Sequence, residues 1–190
     1  MACHEACTPS SAASLVSRRA VVGTLAGAAA LSAARYSIAR AEAAGTGSGE
    51  DERFMRLALD EARKGDFPFG AVIVRDGQVL AAGRNLGRTN GDPTAHGEMV
   101  AIHHCLADHG RAALVGSTLY TSGEPCAMCM GAILWCRIGR LVFAASVQQL
   151  ATRIDQIMLS SAEVAAKAPF VPIAITGGVL ADEAMQLFAK

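Results

Sequence analysis

The sequence is short of several things, and each shortage removes a class of function. It has no excess of either charge: 17 Lys and Arg stand against 17 Asp and Glu, a formal net charge of zero. A nucleic-acid binder needs a basic footprint that displaces counterions from phosphates, and this chain has none overall. Six cysteines in 190 residues are too few and too unevenly placed for a disulfide scaffold. Three of them, Cys126, Cys129 and Cys136, crowd into one short segment. After residue 50 there is no internal repeat and no low-complexity tract. What is present is 52% hydrophobic and 18% charged, enough to fill a core and too apolar for a disordered chain.

The N-terminal segment differs from the rest. Ser17-Arg18-Arg19 precedes an uncharged stretch from Ala20 to Ala34, and Ala39/Ala41 and Ala41/Ala43 offer exits of the Ala-x-Ala kind. A charged region, an apolar region and a small-residue exit together predict a secretory signal over residues 1–43, of the twin-arginine type. Its apolar stretch falls short of the roughly 20 residues that span a bilayer. The expectation is a periplasmic or otherwise exported protein. Residues 44–50 are a Gly/Ser linker, and residues 51–190 form the domain. Residues 1–43 hold four basic and two acidic side chains, so the remainder has 13 positive and 15 negative residues, a formal charge of −2.

In the domain, Phe54, Leu57, Ala58 and Ala62 recur at helical spacing over 51–64. Gly70–Val74 reads as a buried strand, Asp76-Gly77 as a hairpin turn, and Gln78–Ala82 as its antiparallel return. A helix follows over 95–108, a strand at 119–121, and a helix over 125–136 with Pro125 in its first turn. Strands at 141–143 and 172–175 and a helix near 180–189 complete the pattern. Alternating strands and helices predict an α/β fold: a mixed sheet of about five strands with helices on both faces. Residues 145–170 are Ala-rich and have no readable periodicity.

Two motifs stand 30 residues apart, His96-Gly97-Glu98 and Pro125-Cys126-Ala127-Met128-Cys129, and each opens a predicted helix. One imidazole and two thiolates suit zinc, and three protein ligands leave the fourth tetrahedral position open for a water. Helix N-termini favour thiolates there. Glu98 is the natural proton shuttle beside that position. A thioredoxin-like pair at Cys126 and Cys129 would leave His96 and Glu98 without a role. Cys136 lies too far along its helix to close a structural site, and with Cys105 it reads as a small core residue.

These residues match the pattern His-x-Glu followed by Pro-Cys-x-x-Cys, which marks zinc-dependent nucleobase deaminases. The chain resembles the cytidine and deoxycytidylate deaminase superfamily from about Phe54 onward. The likeness is greatest to the branch of guanine deaminases, tRNA adenosine deaminases and fungal cytosine deaminases. Pro68–Val74, Asp92–His96 and Leu119–Ile133 carry it. The resemblance implies a three-layer cytidine-deaminase-like sandwich and one Zn2+ per subunit on His96, Cys126 and Cys129, with Glu98 catalytic. It places Asn85 on the substrate base, the alternative for Asn85 being a turn-forming role. Phe69 and Trp135 lean towards guanine deaminases; Trp135 either edges a purine or is core. Gly97 is reminiscent of the fungal enzymes. The acidic stretch expected after the fourth strand is missing; Asp155 is a weak substitute there and reads rather as a surface aspartate. The implied reaction is hydrolytic deamination of a free nucleobase or nucleoside, guanine-like by preference, with cytosine or another heterocyclic amine as the alternative. No nucleic-acid partner is expected, and a homodimer is. A silent, zinc-stabilised binding protein is the reading of another class.

Overall fold

The computed structural model describes residues 49–189. The signal expected at 1–43 and most of the linker lie outside the described residues. Among the described residues, no helix is long and apolar enough to cross a membrane.

Helix α1 (Gly49–Ala62) leads into the hairpin β1 (Gly70–Arg75) and β2 (Gln78–Arg84). The turn between them places Asp76 at φ 51° and Gly77 at φ 73°. Two positive φ values in a row are what a two-residue hairpin loop needs, and Asp-Gly adopts them at little cost. Then come α2 (Gly97–His109), α3 (Arg111–Leu114), β3 (Thr118–Gly123), α4 (Ala127–Trp135) and β4 (Arg140–Ala145). The chain ends with α5 (Val147–Leu150), α6 (Ser161–Ala166), β5 (Ala174–Gly177) and α7 (Ala181–Gln186).

The five strands form one sheet in the order β2-β1-β3-β4-β5. β1 is antiparallel to β2 and β3, whereas β3, β4 and β5 run parallel. Parallel neighbours need a crossover, and α4 supplies the one between β3 and β4. One face of the sheet packs Phe54, Met55, Leu59, Val72 and Val142 with α1 and α7. The other packs Ile73, Ile102, Leu119, Ile133 and Leu141 with α2, α4 and α6. The three-layer arrangement is thus the expected one.

Several expectations need correction. In α1 the buried stripe is Asp51, Phe54, Met55, Ala58, Leu59 and Ala62, while Leu57 is exposed. Positions 54, 55, 58, 59 and 62 follow the period of 3.6, and 57 falls off that face. Pro125 sits before the helix rather than in its first turn, because Cys126 is the N-cap of α4. The fifth strand starts at Ala174, past Pro172, which has no N–H for a ladder.

Asp51 is the buried acid in that stripe. Arg140 donates to both of its oxygens at 2.7 and 2.8 Å, and the Tyr120 hydroxyl donates to Oδ1 at 3.0 Å. The group fastens α1 to the starts of β3 and β4. Asp51→Asn removes the charge that the bidentate guanidinium faces. We expect a loss of about 2 kcal/mol, less than for a fully buried pair because Arg140 is partly solvated, read as a lower urea midpoint at unchanged slope.

Candidate active site

The site lies at the end of the sheet where β3 runs out and β1 begins. The Gly70 N–H donates to Ser122 Oγ at 3.0 Å, and that hydroxyl donates to the Pro68 carbonyl at 3.2 Å. Helix α2 is laid close along β2: a Cβ on Gly83 would stand 2.3 Å from the Ala101 nitrogen and 2.4 Å from the Gly97 carbonyl oxygen. Only glycine permits that approach, which brings the start of α2 beside the end of β3.

His96 is the N-cap of α2 and Cys126 the N-cap of α4, both with extended backbone. Neither side chain caps its own helix. Where Ser or Asp would normally accept the first-turn N–H groups, this fold places metal-type donors instead, so two helix N-termini face one point. Nδ1 of His96 is 3.7 Å from Cys126 Sγ and 3.6 Å from Cys129 Sγ. All three donor atoms lie within 4.8 Å of one another. Tetrahedral zinc with ordinary bond lengths to nitrogen and sulfur separates those donors by about 3.6 Å, so the group fits the ion.

Glu98, at the second position of α2, is 2% exposed, and its Oε2 has no hydrogen-bond partner. Burial pushes its carboxyl up to about 7. A buried acceptor with nothing to accept from is costly, and this one faces the donor cluster. Cys126 is held down to about 4, first by the hydrogen bond from the Cys129 thiol and then by His96. The same bond raises Cys129. The pairing thus favours the thiolate at Cys126 and the thiol at Cys129.

That asymmetry is testable. In chelated protein at pH 6, iodoacetamide is expected to label Cys126 ahead of the other cysteines, and stoichiometric zinc should block the reaction. Peptide mass spectrometry reads both. Equal labelling of Cys126 and Cys136 would contradict the assignment.

A cavity of about 670 Å³ opens onto the cluster. His96, Glu98 and Cys126 form its floor; Asn85, Gly87, Arg88 and Pro93, from the loop after β2, form one wall. Asn85 is 5% exposed, and its Oδ1 accepts from the Gly87 N–H at 3.1 Å. The turn-forming role is therefore present, and it holds the amide at the cavity. Phe69 also lines the cavity, stacked on His96 with ring centroids 6.5 Å apart and planes 7° apart.

Trp135 does not belong to this group. It is 72% exposed and packs on Phe170 at 5.1 Å. It is neither core nor cavity, because α4 starts at the site and runs away from it. At 1.5 Å per residue, Trp135 lies about 13 Å beyond Cys126 along the helix. On the same helix Met130 and Ile133 are buried in the core, whereas Met128 is exposed.

The opposite wall was not anticipated. Ile154, Asp155, Gln156 and Ile157 line the cavity from the stretch that lacked readable periodicity. Glu124 lines it too, buried two residues before Cys126.

Residues 48–145, just over half the chain, match the model of the cytidine and deoxycytidylate deaminase zinc-binding region. A tRNA-specific adenosine deaminase of Haemophilus influenzae is 46% identical over 101 residues, half of this chain and 58% of that protein. A guanine deaminase of Bacillus subtilis is 44% identical over 99 residues, half of this chain and 64% of that protein. The match thus spans about three fifths of these curated relatives. Among solved structures, guanine deaminase from Nitrosomonas europaea aligns with a TM-score of 0.64 at 25% identity, covering 72% of this chain and 81% of that one. A tRNA:A34 deaminase aligns at 0.62 and 33% identity, covering 71% and 98%. The relatives divide between a free base and an adenosine in tRNA.

Proposed function

Because the chain belongs to the cytidine and deoxycytidylate deaminase family, with a His/Cys/Cys group fitted to one zinc ion, we propose that it is a hydrolytic deaminase of a free nucleobase or nucleoside, guanine-like by preference. The observation that carries the reading is Glu98 Oε2, buried and unpartnered beside three donors at tetrahedral spacing.

His96, Cys126 and Cys129 would hold the zinc ion, which would supply Lewis-acid activation of a water beside the amine-bearing ring carbon. The chain's own residues do the rest. Glu98 Oε2 takes the proton released by the water and passes it to the ring nitrogen next to that carbon. A second proton then moves through Glu98 to the amine, which leaves as ammonia while the carbon keeps a carbonyl oxygen. A carboxyl with one oxygen unpartnered suits both steps, since nothing else competes for the proton that it takes and gives. Asn85 presents an amide to the edge of the base, and Phe69 supports the imidazole from behind. Asp155, on the far wall, offers an acceptor for an N–H of a guanine-type ring.

A free base is favoured over tRNA by the balanced charge and by the export that the twin-arginine-type segment implies. The deciding experiment is an ammonia-release screen of the zinc-loaded full chain. Its panel is guanine, cytosine, adenine, their nucleosides and an unmodified tRNA with adenosine at the wobble position. Guanine is expected to lead. Turnover of tRNA alone would transfer the chain to the RNA-acting relatives, and no ammonia from any substrate would favour a silent zinc protein.

A further inference from the structure

Two carboxylates reach the cavity from the two metal-ligand motifs, and they differ in what they touch. Glu98 keeps one oxygen without a partner. Glu124 has neither oxygen to spare: Oε2 accepts from the Val147 N–H at 2.9 Å and Oε1 from the Ser161 N–H at 2.8 Å. Glu124 is 6% exposed, and its partners lie 23 and 37 residues further along the chain. Both oxygens are thus engaged with backbone N–H groups, whereas Oε2 of Glu98 is not.

Its two donors are the first N–H groups of α5 and α6. Each helix closes its own capping box, Ser146 with Gln149 and Ser160 with Glu163. Those boxes use the N–H of the third helical residue and leave that of the first to Glu124. One side chain therefore serves the starts of two helices. Between them runs the stretch that forms the far wall of the cavity. From Asp155 to Met158 no backbone N–H has a backbone partner among the described residues. The wall is tied at its ends and little in between.

We propose that Glu124 is a positioning residue. By joining the starts of α5 and α6 to the turn ahead of Cys126, it fixes the wall formed by residues 154–157 and so sets how tightly the substrate is held. The inference rests on the cavity being the substrate site, as proposed above.

Glu124→Gln tests it on the zinc-loaded full chain. The amide keeps one acceptor and turns an NH2 group towards the other N–H. Zinc should remain at one per chain, and the amide of Val147 or Ser161 should exchange its hydrogen at least about tenfold faster. KM should rise about tenfold while kcat stays within about threefold. Glu124→Asp keeps the charge but shortens the side chain by one methylene, so that it can no longer serve both N–H groups at once, and it should raise KM in the same direction.

Unchanged exchange and KM in Glu124→Gln would overturn the proposal. So would faster exchange without a change in KM, since the wall would then not hold substrate. A fall in kcat with loss of zinc would assign Glu124 to the metal-binding turn and overturn it too. If the wild type released no ammonia from any substrate, the proposed function would fail separately. Exchange together with calorimetric binding of an unreactive purine would then decide the role of Glu124.

Discussion

Glu98→Gln is expected to keep one zinc per chain and lose about 10³- to 10⁴-fold in kcat. The substitution is nearly isosteric, so the buried space at the start of α2 stays filled and the three donors stay in place. What goes is the ability of one atom, Oε2, to gain and lose a proton where no other group does so. KM should move little, because the cavity walls are unaltered. Metal analysis and ammonia release, measured on the same sample, check both halves. Activity retained with stoichiometric zinc would remove Glu98 from the mechanism.

The same variant carries a pH signature in chelated protein. Folding raises the Glu98 carboxyl from 4.5 to about 7, so the folded state favours its protonated form. That contribution is complete below about pH 4.5 and is lost as pH rises through 7. Gln does not titrate. Chelated Glu98→Gln should therefore gain on chelated wild type across that interval, with the difference read as Tm.

His96→Ala is expected to fail earlier, at the metal. Zinc content should drop from one per chain to near zero, and activity should fall with it. Wild-type protein should gain about 4 kcal/mol from zinc at a thousand times its Kd, whereas the variant's Tm should not respond to added zinc. The imidazole is the one nitrogen donor of the group, 3.6 and 3.7 Å from the two sulfurs. Two thiols without it form a reactive pair instead. Stoichiometric zinc in His96→Ala would mean that the donors are other residues.

What could be read in advance followed from local rules. Asp76-Gly77 announces its hairpin because few dipeptides adopt two positive φ values. The metal group shows in the sequence because ligand chemistry restricts residue type and spacing at once. The failures were directional or non-local. Trp135 and the cavity are parted by the direction in which α4 runs, which no motif records. Glu124 acts through bonds to residues 23 and 37 positions away. Helices α5 and α6 are four and six residues long, too short for a periodicity to build up. Their capping boxes, Ser146 to Gln149 and Ser160 to Glu163, were nevertheless visible as Ser-x-x-Gln and Ser-x-x-Glu. Asp155 stood out in the sequence only as a weak substitute for a missing acidic stretch; the fold brings its segment over the cavity.

The pairing of β1 with β3 joins Ala71 to Thr121 across fifty residues, and His96 and Cys126 meet only once it has closed. A growing chain therefore gains no grip on the cation until most of it has left the ribosome. Once bound, the ion cross-links two stretches that the unfolded polymer would let drift apart. Its capture is thus expected late in folding, after the slow, topologically distant step.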